Sequence, residues 1–218
     1  LKPVASIVDS SFEMKGGRSI LVVGADGRFA ATNSTVKTAY HCQTRQSGEI
    51  ELVDSSAQFL DLELGITAGD RRSAFRVKGE SSLTTSAKAS VGTNGKVDFE
   101  ISGGTVTLPS VKLGTGSTGD GALILNGGKL ETGQVTKGSG TGTLVGNGGT
   151  FVPTSTSAFV TGLDAAELGE QGLTVDSAYN QTLAQDFSSV SGVNGKLIFT
   201  GGKTLTVPEG RTVAATLV

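Results

Sequence analysis

Thiol chemistry is almost missing from this chain of 218 residues: Cys42 is the sole cysteine, which excludes a disulfide framework and a thiolate metal cluster. His41 is likewise the sole histidine, tryptophan is absent, and aromatic residues make up 5%. With no second His or Cys at ligand spacing, the sequence by itself points to no metal centre. The net charge of −2 and a pI near 5.5 exclude the basic stripe that a nucleic-acid partner requires. No apolar run approaches the roughly 20 residues of a membrane-spanning helix. The chain starts at Leu1 without the charged start and apolar stretch of a signal peptide, so it reads as a mature or excised segment.

What the chain has in abundance is glycine, 33 residues, without the three-residue period of collagen. Apolar residues recur in register around the glycine pairs, an order that a disordered segment lacks. Before Gly127-Gly128 stand Leu123 and Leu125, and Leu130 follows. Phe99 and Ile101 hold the same places before Gly103-Gly104, with Val106 after, and Leu144, Gly146 and Phe151 flank Gly148-Gly149. Leu197 and Phe199 before Gly201-Gly202 continue the series, and Phe75 and Val77 before Gly79 are a weaker copy. The anchors recur about every 21 to 24 residues, with about two such steps before Gly201, a step that marks a stacked repeat. Within each unit apolar and polar residues alternate, the period of a strand with one buried face. Second short strands follow, at Leu62 and Leu64, Ala89 and Val91, Val111 and Leu113, and Val135.

One such unit cannot bury its apolar face alone, so units stack and their equivalent strands run parallel. The pattern therefore predicts an all-β chain: a right-handed, single-stranded parallel β-helix, or β-solenoid, of roughly 8 to 10 rungs in one domain spanning 1–218. Residues 1–60 read as irregular or capping rungs, with 33–48 as a loop or divergent rung, and 61–218 as the regular ones. Leu163-Asp-Ala-Ala-Glu-Leu168 before Gly169 reads as the one candidate helical turn. The interior is predicted to hold a stack of Phe75, Phe99, Leu123 and Leu144, with Val77, Ile101 and Leu125 as a second stack beside it.

The units Ile101-Ser-Gly-Gly-Thr-Val-Thr-Leu108 and Leu125-Asn-Gly-Gly-Lys-Leu-Glu-Thr-Gly133, with 173–175 and 195–207, resemble the strand repeats of bacterial autotransporter passenger domains. The likeness covers about residues 60 to 218 and is moderately specific, because Gly-Gly strand repeats also occur in other exported β-helices. The resemblance implies an extracellular location or display on the outer membrane, and no cofactor. It also implies that a translocator barrel belongs to another part of the protein, and it brings no shared catalytic residues to carry over.

No constellation assembles a catalytic site. His41 and Cys42 are neighbours, and side chains adjacent in a strand point to opposite faces. Asp98 and Glu100 share one outward strand face, as do Asp61 and Glu63, and paired carboxylates about 5 to 10 Å apart can serve glycoside cleavage. The outward positions stacked on Asp98 and Glu100 are Ala74 and Arg76, then Ala122 and Ile124, so no carboxylate cluster builds across rungs. The calcium-binding Gly-Gly-Xaa-Gly-Xaa-Asp pattern is absent. Gly114-Thr-Gly-Ser-Thr-Gly119 has the spacing of a phosphate loop but no helix pattern follows it, so it reads as a turn. Thr105 and Thr107 cannot begin a threonine ladder, since Lys129 and Glu131 take their places in the next rung.

These observations favour a non-enzymatic segment, a structural stalk or adhesin, with a polysaccharide lyase or glycoside hydrolase as the alternative. Its partners would be a host or surface glycan or a protein ligand, or a second copy associating along the outer face. The outward column that reads Glu13, Arg76 and Glu100 in early rungs turns to Ile124, Val145 and Ile198 in later ones. A contiguous apolar strip is the candidate interaction surface. Its cover is expected to be a partner or the segment 163–172 folding back.

Overall fold

In the computed structural model, which describes residues 4–156 and 158–218, parallel strands stack as a β-solenoid of about 9 turns. The described residues contain no helix. A typical rung places one strand in each of three sheets. In the fifth rung these are Lys96–Ile101, Thr105–Leu108 and Val111–Leu113. Equivalent strands pair in parallel, giving a first and a second sheet of ten strands each and a third of seven, and two short strands pair separately near the C-terminal end.

Alternation fixes which face is inside. Phe75 pairs in register with Phe99, Phe99 with Leu123 and Leu123 with Leu144, and all four are fully buried. Val77, Ile101 and Leu125 form the adjoining layer, also fully buried. The first layer extends backwards through Ile50 to Phe29. A one-residue slip would expose every one of these side chains, so the buried face holds the register.

Rungs are in place well before residue 61, where the sequence reading put the start of the regular ones. Val4–Val8, Ser11–Met14 and Leu21–Val23 already belong to the three sheets, and Thr35–Thr38 and His41–Thr44 make a rung of the stretch read as a loop or divergent rung. The corners explain why the pattern was hidden. Between the first and second sheets the early rungs turn on Asp9-Ser10, Asn33-Ser34 and Asp54-Ser55, with φ of 48°, 48° and 49° at the Asx residue. Asn and Asp tolerate this left-handed region better than other residues with a Cβ. Later rungs use glycine at the same corner, for example Gly104 at φ 69° and Gly128 at 63°. A Cβ on Gly104 would collide with the Ser81 carbonyl of the rung before, so glycine there also permits close stacking of corners.

The candidate helical turn is a strand instead. Ala165–Leu168 lies in the first sheet against Thr143–Gly146, with Ala166 and Leu168 buried and Ala165 and Glu167 partly exposed. Four residues of good helix formers were overruled by a ladder that their period of two also satisfies.

Candidate functional site

Two of the carboxylates singled out from sequence, Asp98 and Glu100, lie on the outer face of the first sheet, and each has a cationic partner. Asp98 accepts from Arg72 Nε at 2.8 Å, and the same guanidinium reaches Asp120 through Nη1 at 2.6 Å. Glu100 lies 3.5 Å from Arg76 and accepts from Asn126 Nδ2 at 3.1 Å. Arg76 also faces Glu49 at 3.6 Å. Glu51 receives Arg28 at 2.7 Å and Lys78 at 2.8 Å on its two oxygens. The hydrogen bond from Lys78 is the main cause that lowers its pKa, helped by the charges of Lys78 and Arg28 and opposed by partial burial. The register is the expected one: Asp98 stands between Ala74 and Ala122, and Glu100 between Arg76 and Ile124.

Ile124 and Val145 are register neighbours and both are half-buried. Ile198 does not join them. It lies in Lys196–Thr200 of the second sheet, opposite Thr174, and Glu13 is also a second-sheet residue, paired with Lys37. Both were misassigned because the strand before Gly201 looks like the strand before Gly127 yet falls one corner later in its rung. The actual first-sheet column reads Ala30, Glu51, Arg76, Glu100, Ile124, Val145, Glu167 and Ser188. Residues 163–172 supply a first-sheet strand and the corner after it, in place of the expected covering flap. Val145 lines a shallow groove with Val190 and Val193, edged by Asn126, Asn147 and Gln171.

The third sheet holds a grouping that sequence spacing did not reveal. His41 pairs in register with Asp61 and Gln43 with Glu63, because these two rungs are stacked with a step of about 20 residues. One ligand atom from each of His41, Asp61 and Glu63 lies within 4.8 Å of the others. His41 Nδ1 is 3.2 Å from Asp61 Oδ2, and both side chains are largely buried, at 14% and 12% exposure. Asp61 Oδ1 accepts the Lys88 backbone N–H at 3.2 Å, and Glu63 Oε2 accepts Gln43 Nε2 at 2.7 Å. The Tyr40 ring packs edge-on against the imidazole, with centroids 3.7 Å apart. Cys42 points the other way, into the core, where burial pushes its thiol pKa far up. His41 and Cys42 are therefore separated by the sheet, as strand alternation requires.

Compared with known proteins, the chain matches no family model, no curated protein and no solved structure. No helix among the described residues is long and apolar enough to cross a membrane.

Proposed function

We propose that this β-solenoid is a non-enzymatic segment of an exported or cell-surface protein, similar to an autotransporter passenger, serving as a structural stalk or adhesin. The observation that carries this reading is the mutual pairing of outward charges across rungs. Arg28, Glu51 and Lys78 form one string, Glu49, Arg76 and Glu100 a second, and Arg72 bridges Asp98 and Asp120. Carboxylates engaged in this way brace neighbouring rungs, whereas glycoside cleavage needs one carboxyl free to protonate a leaving group and another facing it. The net charge of −2 speaks for a glycan or protein ligand over nucleic acid. The half-buried pair Ile124 and Val145, with the groove beside Val145, is the contact strip for such a ligand or for a second copy.

The test is a screen of the purified chain against acidic and neutral polysaccharides for both retention and turnover. Retention without turnover, weakened by Ile124→Lys with Val145→Lys while unfolding of the single chain stays nearly unchanged, is the expected result. Reproducible turnover that disappears in Asp98→Asn or Glu100→Gln would establish the lyase or hydrolase reading instead.

A further inference from the structure

On the first sheet Glu49, Glu51, Asp98, Glu100 and Asp120 are paired with Arg or Lys, whereas among the described residues Asp61 and Glu63 have neither as a partner and face an imidazole. Their hydrogen bonds are divided in a particular way. The Lys88 N–H occupies Asp61 Oδ1 and the Gln43 amide occupies Glu63 Oε2, which leaves Asp61 Oδ2 and the second oxygen of Glu63 uncommitted. His41 Nδ1 is inaccessible to solvent and has no hydrogen-bond partner, although Asp61 Oδ2 is only 3.2 Å away. Nitrogen and oxygen thus sit side by side rather than donor to acceptor. A buried imidazole nitrogen without a partner is costly unless something else takes its lone pair.

We propose that His41 Nδ1, Asp61 and Glu63 form a binding site for one divalent transition-metal ion of the zinc type, clamping the second rung to the third. An ion about 2.1 Å from both His41 Nδ1 and Asp61 Oδ2 would see them at an angle of about 100°, between the octahedral and tetrahedral values, given their 3.2 Å separation. One imidazole and two carboxylates suit zinc or a neighbouring first-row ion better than calcium or magnesium, which prefer oxygen alone. Two carboxylates balance the charge of a divalent ion. The Lys88 N–H and the Gln43 amide fix the carboxylates from behind, as outer partners of metal ligands commonly do. Three protein ligands at the outer surface leave at least one coordination position open to water or to a ligand.

The full chain without an affinity tag, stripped with a chelator, is titrated calorimetrically with Zn²⁺ and separately with Ca²⁺, and its melting is followed with each ion. Expected are one saturable equivalent of zinc, a rise in melting temperature with zinc, and weaker or no response to calcium. Glu63→Gln should weaken zinc at least tenfold and His41→Gln should abolish the site, while Asp98→Asn leaves it intact. Should His41→Gln not fold, Glu63→Gln decides, since Glu63 is only partly buried. Gln43→Ala should weaken binding about tenfold through loss of the outer partner. No saturable zinc binding by the folded chain, binding undiminished in folded Glu63→Gln, or a response to calcium alone would each overturn the assignment.

Discussion

The first three rungs and the middle rungs build the same interior with different corners. In both, the first sheet supplies paired inward layers, Phe29 over Ile50 at one end and Phe99 over Leu123 further on. At the corner into the second sheet the two regions part. The early rungs turn in two residues, an Asx in the left-handed region and a serine, and the serines form a ladder. Ser34 Oγ receives the Ser10 N–H at 3.1 Å, Ser55 Oγ the Ser34 N–H at 3.0 Å and Ser81 Oγ the Ser55 N–H at 3.1 Å. Each hydroxyl in turn donates to a carbonyl two or three residues earlier: Thr32 for Ser34, Val53 for Ser55 and Lys78 for Ser81. The middle rungs replace this with Ser102-Gly103-Gly104 or Asn126-Gly127-Gly128, where the backbone alone makes the turn and packs directly on its neighbour. One corner problem thus has two solutions, side-chain hydrogen bonding and the absence of a side chain.

If the difference is confined to the corners, the cores of the two regions should respond alike. Leu52→Ala in the early region and Leu123→Ala in the middle should each lower unfolding free energy by about 2 to 5 kcal/mol in denaturant titrations, the range for a large-to-small change in a filled core. Both side chains are fully buried. A Leu52 variant with the stability of the parent would show that the early rungs are loosely held and break the comparison.

The corners themselves should fail for different reasons. Gly104→Ala forces a Cβ into the Ser81 carbonyl at positive φ and should cost on the order of 1 to 3 kcal/mol. Ser55→Ala removes the acceptor for the buried Ser34 N–H and should cost a similar amount, about 1 to 3 kcal/mol. The sharpening control is Ser55→Gly against Ser55→Thr. Threonine keeps the hydroxyl and should retain most of the stability, while glycine should not rescue a corner that depends on a side chain. Equal behaviour of the two variants in thermal melts would mean that the ladder contributes nothing.

This division also explains what could be read beforehand. The solenoid, its interior stacks and the register of Asp98 and Glu100 were legible from the middle rungs, because Gly-Gly punctuates each one and alternation is strict between the marks. The early rungs carry a repeat too, Val8-Asp-Ser-Ser11, Thr32-Asn-Ser-Thr35 and Val53-Asp-Ser-Ser56, but it is written in turn residues that are common everywhere. Recognising it would have stacked the rung of His41 and Gln43 on that of Asp61 and Glu63, one residue off the observed pairing, because the corner step of 21 shortens to 20 in the third sheet. Ligand spacing along a single strand could not reveal that, since the neighbours come from the next rung. The assignment of Ile198 to the apolar column failed for a related reason: a sequence likeness between strands says which face is inward, and the sheet it joins is set by the corners between.

The finest comparison is at the seam, where the last Asx corner, Asp54, meets the first glycine corner, Gly79. Glu51 bridges the two regimes, held by Arg28 of the second rung and Lys78 of the fourth. The Lys78 hydrogen bond chiefly, with the charges of Lys78 and Arg28, holds its carboxyl below the usual 4.5 against the opposing effect of burial. A carboxylate whose folded pKa is lowered releases its proton more readily in the native state, so the unfolded chain binds more protons in the acid range. The stabilisation is therefore complete above pH 4.5 and is lost as pH falls through the lower folded value. Because Arg28 and Lys78 are well exposed, the whole contribution should stay at or below about 1 kcal/mol and shrink in high salt. Glu51→Gln should accordingly melt slightly lower than the parent near pH 7, with the difference narrowing below pH 4.5. A difference that persists unchanged in acid would mean that the carboxamide disturbs packing at the seam and that the ion pairs with Arg28 and Lys78 do not couple the two kinds of rung.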